Sequence, residues 1–150
     1  MTQIRTVRLL IVEDNPAYLY LIQKAFSRRV ESARWELITA EDGEKALHFL
    51  FEEEKEQTPL PDLILLDWNL PKVSGRQVLQ RMKEDENLRR IPVLILSASD
   101  ADEDIEVAYG DHANGYITKP NGDESLTKIV GTIEEFWVTV ARLSKVLRHV

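Results

Sequence analysis

The chain has 150 residues, a formal net charge of −7 and no cysteine. This length suits one domain with a substantial core. The acidic balance argues against broad nucleic-acid binding, which needs a basic face, and the lack of cysteine excludes disulfides, thiolate nucleophiles and cysteine-ligated metals. No apolar run approaches the roughly 20 residues that span a bilayer, and the N-terminal residues do not form a signal peptide. We therefore expect a soluble, cytoplasmic protein.

Short apolar runs alternate with helical patterns along the chain. Strands are predicted at 7–12, 35–40, 63–67, 91–96 and 115–118. Helical patterns follow each of them, at 16–30, 44–54, from 74 through 82, around 105–108, and at 124–147. This strict alternation predicts an α/β protein, with one parallel sheet covered by helices on both faces. The alternation itself does not give the strand order.

Four of the five predicted strands end on a charged or hydroxyl-bearing residue: Glu13 and Asp14, then Asp67, Ser97 and Lys119. The carboxyl ends of parallel strands lie at one edge of a sheet, so these side chains can converge. Three neighbouring acids resist joint ionisation unless a cation lies among them, and oxygen ligands suit Mg²⁺. The pattern predicts a phosphoryl site in which one carboxylate is the nucleophile, while the metal, hydroxyl and ammonium hold the phosphoryl oxygens.

Each of these residues also has an ordinary structural explanation. An Asp after a strand is often a turn or cap residue, and Glu13 with Asp14 would favour the dipole of the following helix. Ser97 would suit the start of a helix, and Lys119 a solvated turn. The functional interpretation is favoured because the residues at all four strand ends suit the same chemistry, the binding of a phosphoryl group and a metal ion.

Four segments carry these residues: LLIVEDN at 9–15, LILLDWNLPKVSG at 63–75, LILSAS at 94–99 and GYITKP at 115–120. In order and spacing they resemble the receiver domains of two-component response regulators. The resemblance covers nearly the full chain and implies a flavodoxin-like doubly wound sheet of order 2-1-3-4-5. It also implies a phosphorelay protein that accepts a phosphoryl group from a histidine kinase. Such a protein assists its own phosphorylation and dephosphorylation but is not an enzyme with a separate substrate.

The resemblance implies a metal set and a phosphoacceptor. Asp67 would be the phosphorylated residue. Asp14 would bind Mg²⁺ directly, with Glu13 acting beside it and Asp67 contributing from the end of the third predicted strand. Asn69 would lend its backbone carbonyl to the same ion.

The resemblance also implies the residues that respond to the phosphoryl group. Ser97 would bond a phosphoryl oxygen after transfer, and Lys119 would pair with Asp67 or its phosphate. Tyr116 matches an aromatic switch whose ring turns inward when the hydroxyl residue moves toward the phosphate. Phosphorylation would thereby shift a pre-existing conformational equilibrium at the face formed by the fourth helix, fifth strand and last helix. Asn69 and Ser99 match the positions that tune dephosphorylation.

Trp68 and a finer family resemblance lead to two further expectations. Trp68 is larger than the aliphatic residue common after the phosphoacceptor, and we expect it either to shield the site or to form a docking surface. The segments DWNLPK, GRQVL, HANGYITKP and IEEFW resemble the small response regulators that partner cyanobacterial phytochromes. That finer resemblance implies a phytochrome-type histidine kinase as the phosphodonor.

The last predicted helix, at 124–147, is about 36 Å long at 1.5 Å per residue, more than one face of a small sheet needs. Its apolar residues form a narrow seam that predicts a homodimer: Ile129, Ile133, Phe136, Val140, Leu143 and Leu147. Nothing follows this helix, so we expect residues 1–150 to be a stand-alone receiver without an output domain.

The sequence fits three rival functions less well. A haloacid-dehalogenase-type phosphotransferase needs a second Asp two residues after its nucleophile, where this chain has Asn69. A flavodoxin needs a phosphate loop rich in Ser, Thr and Gly after its first strand, where Glu13 and Asp14 would repel a phosphate. A dimeric adaptor that works without phosphorylation would not need the acids, hydroxyl and lysine to be intact.

Overall fold

The computed structural model describes residues 5–28, 33–52 and 59–144. Five parallel strands form one sheet: β1 Arg5–Val12, β2 Ala33–Ala40, β3 Leu63–Asp67, β4 Val93–Ser97 and β5 Gly115–Thr118. Their order is β2-β1-β3-β4-β5, which confirms the predicted doubly wound sheet.

Helices connect the strands. They are α1 Pro16–Ser27, α2 Gly43–Leu47, α3 Gly75–Glu84, α4 Asp102–Gly110 and α5 Asp123–Glu134. Two of these helices continue as π-helical segments: α2 is followed by His48–Glu52, and α5 is followed by Glu135–Val140. A short 3₁₀ turn, Leu88–Arg90, precedes β4. Within the described part of the chain, none of these helices has the length and apolarity to cross a membrane.

The alternation of side chains along the strands builds two cores, one on each face of the sheet. On β3, Ile64 and Leu66 join the core that also contains Val78 from α3. Leu63 and Leu65 join the opposite core with Ile22 from α1 and residues of α5. Every residue of β3 and β4 is buried, as expected for central strands covered on both sides.

The strand ends are aligned by the register of the sheet. Val12 pairs with Leu66 across β1 and β3, and Asp67 pairs with Leu96 across β3 and β4. Ser97 in turn pairs with Thr118 at the end of β5. The residues that follow β1, β3, β4 and β5 therefore meet at one edge of the sheet.

The C-terminal helix is long, as predicted, but it ends earlier than residue 147. Its helical backbone runs from α5 through Val140, and Ala141 is extended, with φ −84° and ψ 165°. Ala141 N donates to the Phe136 carbonyl at 2.6 Å, a five-residue step that widens the last turn. Leu147 lies outside the described residues.

The predicted seam of this helix is divided between two environments. Ile133 is buried and Ile129 is partly buried, and both pack on the α1–α5 side of the sheet. Leu143 packs near Val7 and Val138. Phe136 and Val140 remain exposed, at 49% and 67%, because they lie on the side of the helix away from Val138, which is buried against Val7.

Candidate functional site

Three carboxylates converge at the carboxyl edge of the sheet. Glu13 continues the β1–β2 pairing by donating its N–H to the Ala40 carbonyl at 3.1 Å, which fixes its buried side chain at the edge. Asp14 is exposed beside it, and Asp67 ends β3. One oxygen from each of Glu13, Asp14 and Asp67 lies within 4.8 Å of the others.

This donor set fits a hard divalent cation. Burial raises the pKa of Glu13 to about 7, the Lys119 ammonium opposes that rise, and the Asp67 charge adds to it. A cation among the acids would favour their ionised forms. The described residues offer only carboxylate oxygens in this cluster, and such ligands suit Mg²⁺. The residues present therefore fit the metal that the sequence predicts.

Lys119 links two of the acids. Its backbone N–H donates to the Ser97 carbonyl at 2.6 Å. This bond places Lys119 directly after β5, at the carboxyl edge of the sheet. Its Nζ lies 2.7 Å from Glu13 Oε1 and 3.2 Å from Asp67 Oδ2. Although burial opposes its charge, these two carboxylates raise the pKa of Lys119 above its ordinary value, so it remains an ammonium at neutral pH.

Tyr18 is the neighbour of this site that the sequence did not reveal. The Lys119 ammonium lies 4.7 Å from the centre of the Tyr18 ring. Tyr18 is in the first turn of α1, where a partly buried aromatic residue is ordinary core or surface material. No spacing pattern joins it to Lys119, because the two meet only through the tertiary fold.

The loop after β3 holds Asp67 in place. The Asn69 N–H donates to Asp67 Oδ1 at 3.2 Å, and the Asn69 side chain is exposed at the rim. The Gly75 N–H donates to the Trp68 carbonyl at 3.0 Å. A Cβ on Gly75 would lie 2.2 Å from the Asp67 carbonyl oxygen. Only glycine at position 75 allows α3 to begin this close to the strand end.

Trp68 is part of the core rather than a docking surface. It is 7% exposed and belongs to the apolar cluster on the α2–α4 side of the sheet, together with Leu70 and Val78. The docking-surface expectation is therefore wrong, because the side chain points into the protein. The large ring is instead part of this core, directly after the strand end that carries Asp67.

Ser97, Ser99 and Tyr116 form a connected series at the end of β4. Ser97 is fully buried, and its Oγ accepts the Ser99 N–H at 3.2 Å. The Tyr116 hydroxyl donates to the Ser99 carbonyl at 2.7 Å, and the Ser99 hydroxyl donates to Asp104. The partly buried ring of Tyr116 therefore lies against the β4–α4 loop, two hydrogen bonds away from Ser97.

Comparison with known families identifies the arrangement. The family model of the response regulator receiver domain matches residues 9–131. This chain belongs to the response regulator receiver family. The receiver shares 42% identity over 130 residues with the probable methanogenesis regulatory protein FilR2 of Methanothrix harundinacea, covering 87% of this chain and 83% of FilR2. It shares 40% identity over 136 residues with the response regulator Rcp1 of Synechocystis, covering 90% and 91%.

Solved structures agree with this assignment. The receiver superposes with a TM-score of 0.84 on the phosphorylated cyanobacterial phytochrome response regulator RcpA, at 44% identity and with coverage of 92% and 98%. It superposes with a TM-score of 0.83 on the Mn²⁺-bound form of Rcp1, at 40% identity and with coverage of 92% and 99%. Receiver domains bind a divalent metal at an acidic pocket, and the Glu13, Asp14 and Asp67 cluster of this receiver has the composition for it.

Proposed function

We propose that this receiver accepts a phosphoryl group on Asp67 from a phosphohistidine of a histidine kinase. A carboxylate oxygen of Asp67 forms the new P–O bond while the P–N bond to the imidazole breaks. The imidazole nitrogen keeps the electron pair of that bond and is protonated by solvent. The convergence of Glu13, Asp14 and Lys119 on Asp67 is the observation that carries this proposal.

Each polar group around Asp67 has a part in the transfer. The Asn69 N–H and the Lys119 ammonium each bond one oxygen of the Asp67 carboxylate, which fixes the direction of attack. Lys119 and the Ser97 hydroxyl would then hold oxygens of the transferred group. Mg²⁺, when bound, supplies positive charge that stabilises the phosphoryl oxygens during transfer.

The residues that would hold Mg²⁺ are Asp14, Glu13 and Asp67, with the backbone carbonyl of Asn69 completing the protein ligands. Hydrolysis returns the receiver to its resting state: a water oxygen bonds to phosphorus, the P–O bond to Asp67 breaks, and inorganic phosphate leaves. Asn69 and Ser99 are the residues that tune the rate of this hydrolysis. The exposed position of Asn69 supports this role.

Phosphorylation acts on the rest of the molecule through the series Ser97, Ser99 and Tyr116. Ser99 donates to Ser97 and accepts from Tyr116, so a movement of the Ser97 hydroxyl toward a phosphate alters both bonds. The consequence is a shift in the populations of the α4–β5–α5 face.

The phosphodonor that we propose is a phytochrome-type histidine kinase. The support is the similarity to RcpA, a cyanobacterial phytochrome response regulator, over 92% of this chain. The test compares phosphotransfer to this receiver from a cyanobacterial phytochrome kinase and from an unrelated histidine kinase at equal concentration. Faster transfer from the phytochrome kinase is expected, and equal rates would contradict this choice of donor.

Labelling with acetyl phosphate and Mg²⁺ tests the function independently of any kinase. The wild-type chain is expected to become phosphorylated, and Asp67→Asn is not, because the amide cannot act as the nucleophile. Asp102→Asn, an exposed acid on α4, is the matched control and labels like the wild type. Equal labelling of wild type and Asp67→Asn would contradict the proposal, and no labelling of the wild type would favour the phosphorylation-independent adaptor.

We also propose that the receiver forms a homodimer through the end of its C-terminal helix. Phe136 and Val140 are exposed large apolar residues on consecutive turns. Exposed apolar surface of this kind is unfavourable in an isolated monomer. A second copy of the chain is the occupant that the seam pattern of this helix suits.

A further inference from the structure

The ammonium of Lys119 has a third neighbour besides its two carboxylates, the ring of Tyr18. Nζ lies 4.7 Å from the ring centre, within the distance at which an aromatic face attracts a cation. The Tyr18 hydroxyl is buried and has no hydrogen-bond partner among the described residues. The ring face, and not the hydroxyl, therefore makes the contact with Lys119.

Tyr18 is fixed by the same turn that fixes the acids. The Asn15 side chain accepts the Tyr18 N–H at 3.0 Å and so caps the start of α1. The Asn15 N–H donates to Glu13 Oε2 at 3.1 Å. Because Asn15 is hydrogen-bonded to both residues, the position of Tyr18 is fixed relative to the Glu13 carboxylate. The ring also packs on the core of the α1–α5 side, so it forms a fixed wall beside the ammonium.

We propose that Tyr18 is a positioning residue that holds the Lys119 ammonium toward the phosphoryl group on Asp67. This inference rests on the proposed function. A lysine carries its charge on a flexible stem, and Nζ is closer to Glu13 than to Asp67, at 2.7 Å against 3.2 Å. The ring limits the directions open to the ammonium and keeps water from one side of it. An aromatic face does this without adding an oxygen that would compete with the phosphoryl oxygens.

The test measures the initial rate of phosphorylation by acetyl phosphate at saturating Mg²⁺. Tyr18→Leu is expected to lower the rate about 3- to 10-fold, which lies within the range of about 2- to 30-fold that the loss of one cation–π contact gives. Tyr18→Met, a second variant without a ring, gives the same loss. Tyr18→Phe restores most of the rate because it keeps the aromatic face. Tyr20→Leu, an exposed tyrosine on the same helix at 62% exposure, is the matched control.

A double-mutant cycle separates positioning from a general structural effect. In a Lys119→Gln background, Tyr18→Leu is expected to cause no further loss, because the ring acts only through the ammonium. A loss as large as in the wild-type background would overturn the proposal. Equal losses in Tyr18→Phe and Tyr18→Leu would also overturn it, since they would assign the effect to the hydroxyl.

A non-covalent probe supplies a readout that does not depend on turnover. Beryllofluoride with Mg²⁺ mimics a phosphoryl group on a carboxylate, and its affinity is expected to fall in Tyr18→Leu and Tyr18→Met but not in Tyr18→Phe. An unchanged affinity in all three would overturn the proposal. A wild-type chain that fails to label would count against Asp67 as the phosphoacceptor, whereas a wild type and Tyr18→Leu that label equally would overturn only the role of Tyr18.

Discussion

Lys119 explains how buried acids persist at the edge of this sheet. Glu13 and Asp67 are both at most 5% exposed, and the removal of a carboxylate from water is costly unless it is paired. The one ammonium offsets part of the charge of Glu13 and Asp67, and Asp14 adds a third carboxylate. The cluster thus keeps an excess of negative charge, which is the basis for a divalent cation at this place.

Replacement of Asp14 tests the metal set at the scale of one side chain. Asp14→Asn is expected to weaken Mg²⁺ binding about tenfold or more, because a neutral amide replaces a charged ligand. In the absence of metal the same variant is expected to unfold at a higher temperature than the wild type, because one of three repelling carboxylates is gone. Thermal unfolding across a Mg²⁺ titration measures both effects.

The control for this titration is Glu44→Gln, an exposed acid on α2 outside the cluster. It is expected to keep the wild-type response to Mg²⁺. A wild-type Mg²⁺ affinity in Asp14→Asn would contradict the proposed ligand set.

At the scale of residues, the sequence predicted most of the site for a physical reason. Asp67 and Ser97 each end a run of buried apolar residues, so their polarity stood out at a position where chemistry is common. Tyr18 and Trp68 could not be interpreted in this way. The contact of Tyr18 with Lys119 and the inward direction of Trp68 depend on packing between distant segments, which no local pattern encodes.

The connection from β3 to α3 is the element on which the geometry of Asp67 depends most. α3 begins with a capping box in which the Ser74 side chain accepts the Gln77 N–H and the Gln77 side chain accepts the Ser74 N–H. This cap fixes the helix start directly beside the strand end. Gly75 is the residue that allows the two to approach.

Gly75→Ala tests this close approach. The added Cβ would lie 2.2 Å from the Asp67 carbonyl oxygen and 2.8 Å from the Trp68 Cα, and backbone atoms cannot move aside as a flexible side chain does. We expect a loss of about 1–3 kcal/mol in the free energy of unfolding, together with slower phosphorylation of Asp67. Urea unfolding and acetyl phosphate labelling measure the two effects.

Gly110→Ala is the matched control, since a Cβ there meets nothing within 4 Å and alanine favours the helical backbone of α4. We expect it to be as stable as the wild type or slightly more so. A Gly75→Ala protein with wild-type stability and labelling would show that the strand end tolerates displacement, contrary to this account.

At the scale of elements, apolar runs predicted the strands better than periodicity predicted the helix ends. β3 and β5 were predicted with their observed bounds, because charged or turn-forming residues delimit them. α1 ends at Ser27 rather than near residue 30, and the last helix ends at Val140 rather than at 147. A 3.6-residue apolar pattern does not distinguish the π-helical turns after α2 and α5 from regular α-helix.

Among the described residues, Phe136 and Val140 are two large apolar side chains on neighbouring turns of one helix that the fold leaves exposed. They lie on the opposite side of this helix from Val138, which is buried against Val7. The sequence predicted a seam along this helix but could not separate its packed residues, Ile129, Ile133 and Leu143, from Phe136 and Val140, which are exposed. That separation depends on tertiary packing, and strand order itself came from the family resemblance rather than from the alternation.

Charge introduced on the exposed side of this helix tests the homodimer. Phe136→Glu is expected to convert a dimer at micromolar concentration into a monomer, because a desolvated carboxylate would have to enter the interface. Tyr109→Glu, at a residue of 50% exposure on α4 against 49% for Phe136, is the control and is expected to remain dimeric. Light scattering coupled to gel filtration gives the mass of each species, and a monomeric wild type would contradict the dimer.

Localisation of the phosphoryl group tests the central claim most directly. Reduction of the acetyl phosphate-treated chain with tritiated borohydride converts a phosphorylated aspartate to labelled homoserine, and peptide sequencing then finds its position. We predict labelled homoserine at residue 67, and only when Mg²⁺ is present during phosphorylation. Label at Asp14 or at any other acid, with residue 67 recovered as unmodified aspartate, would contradict the account.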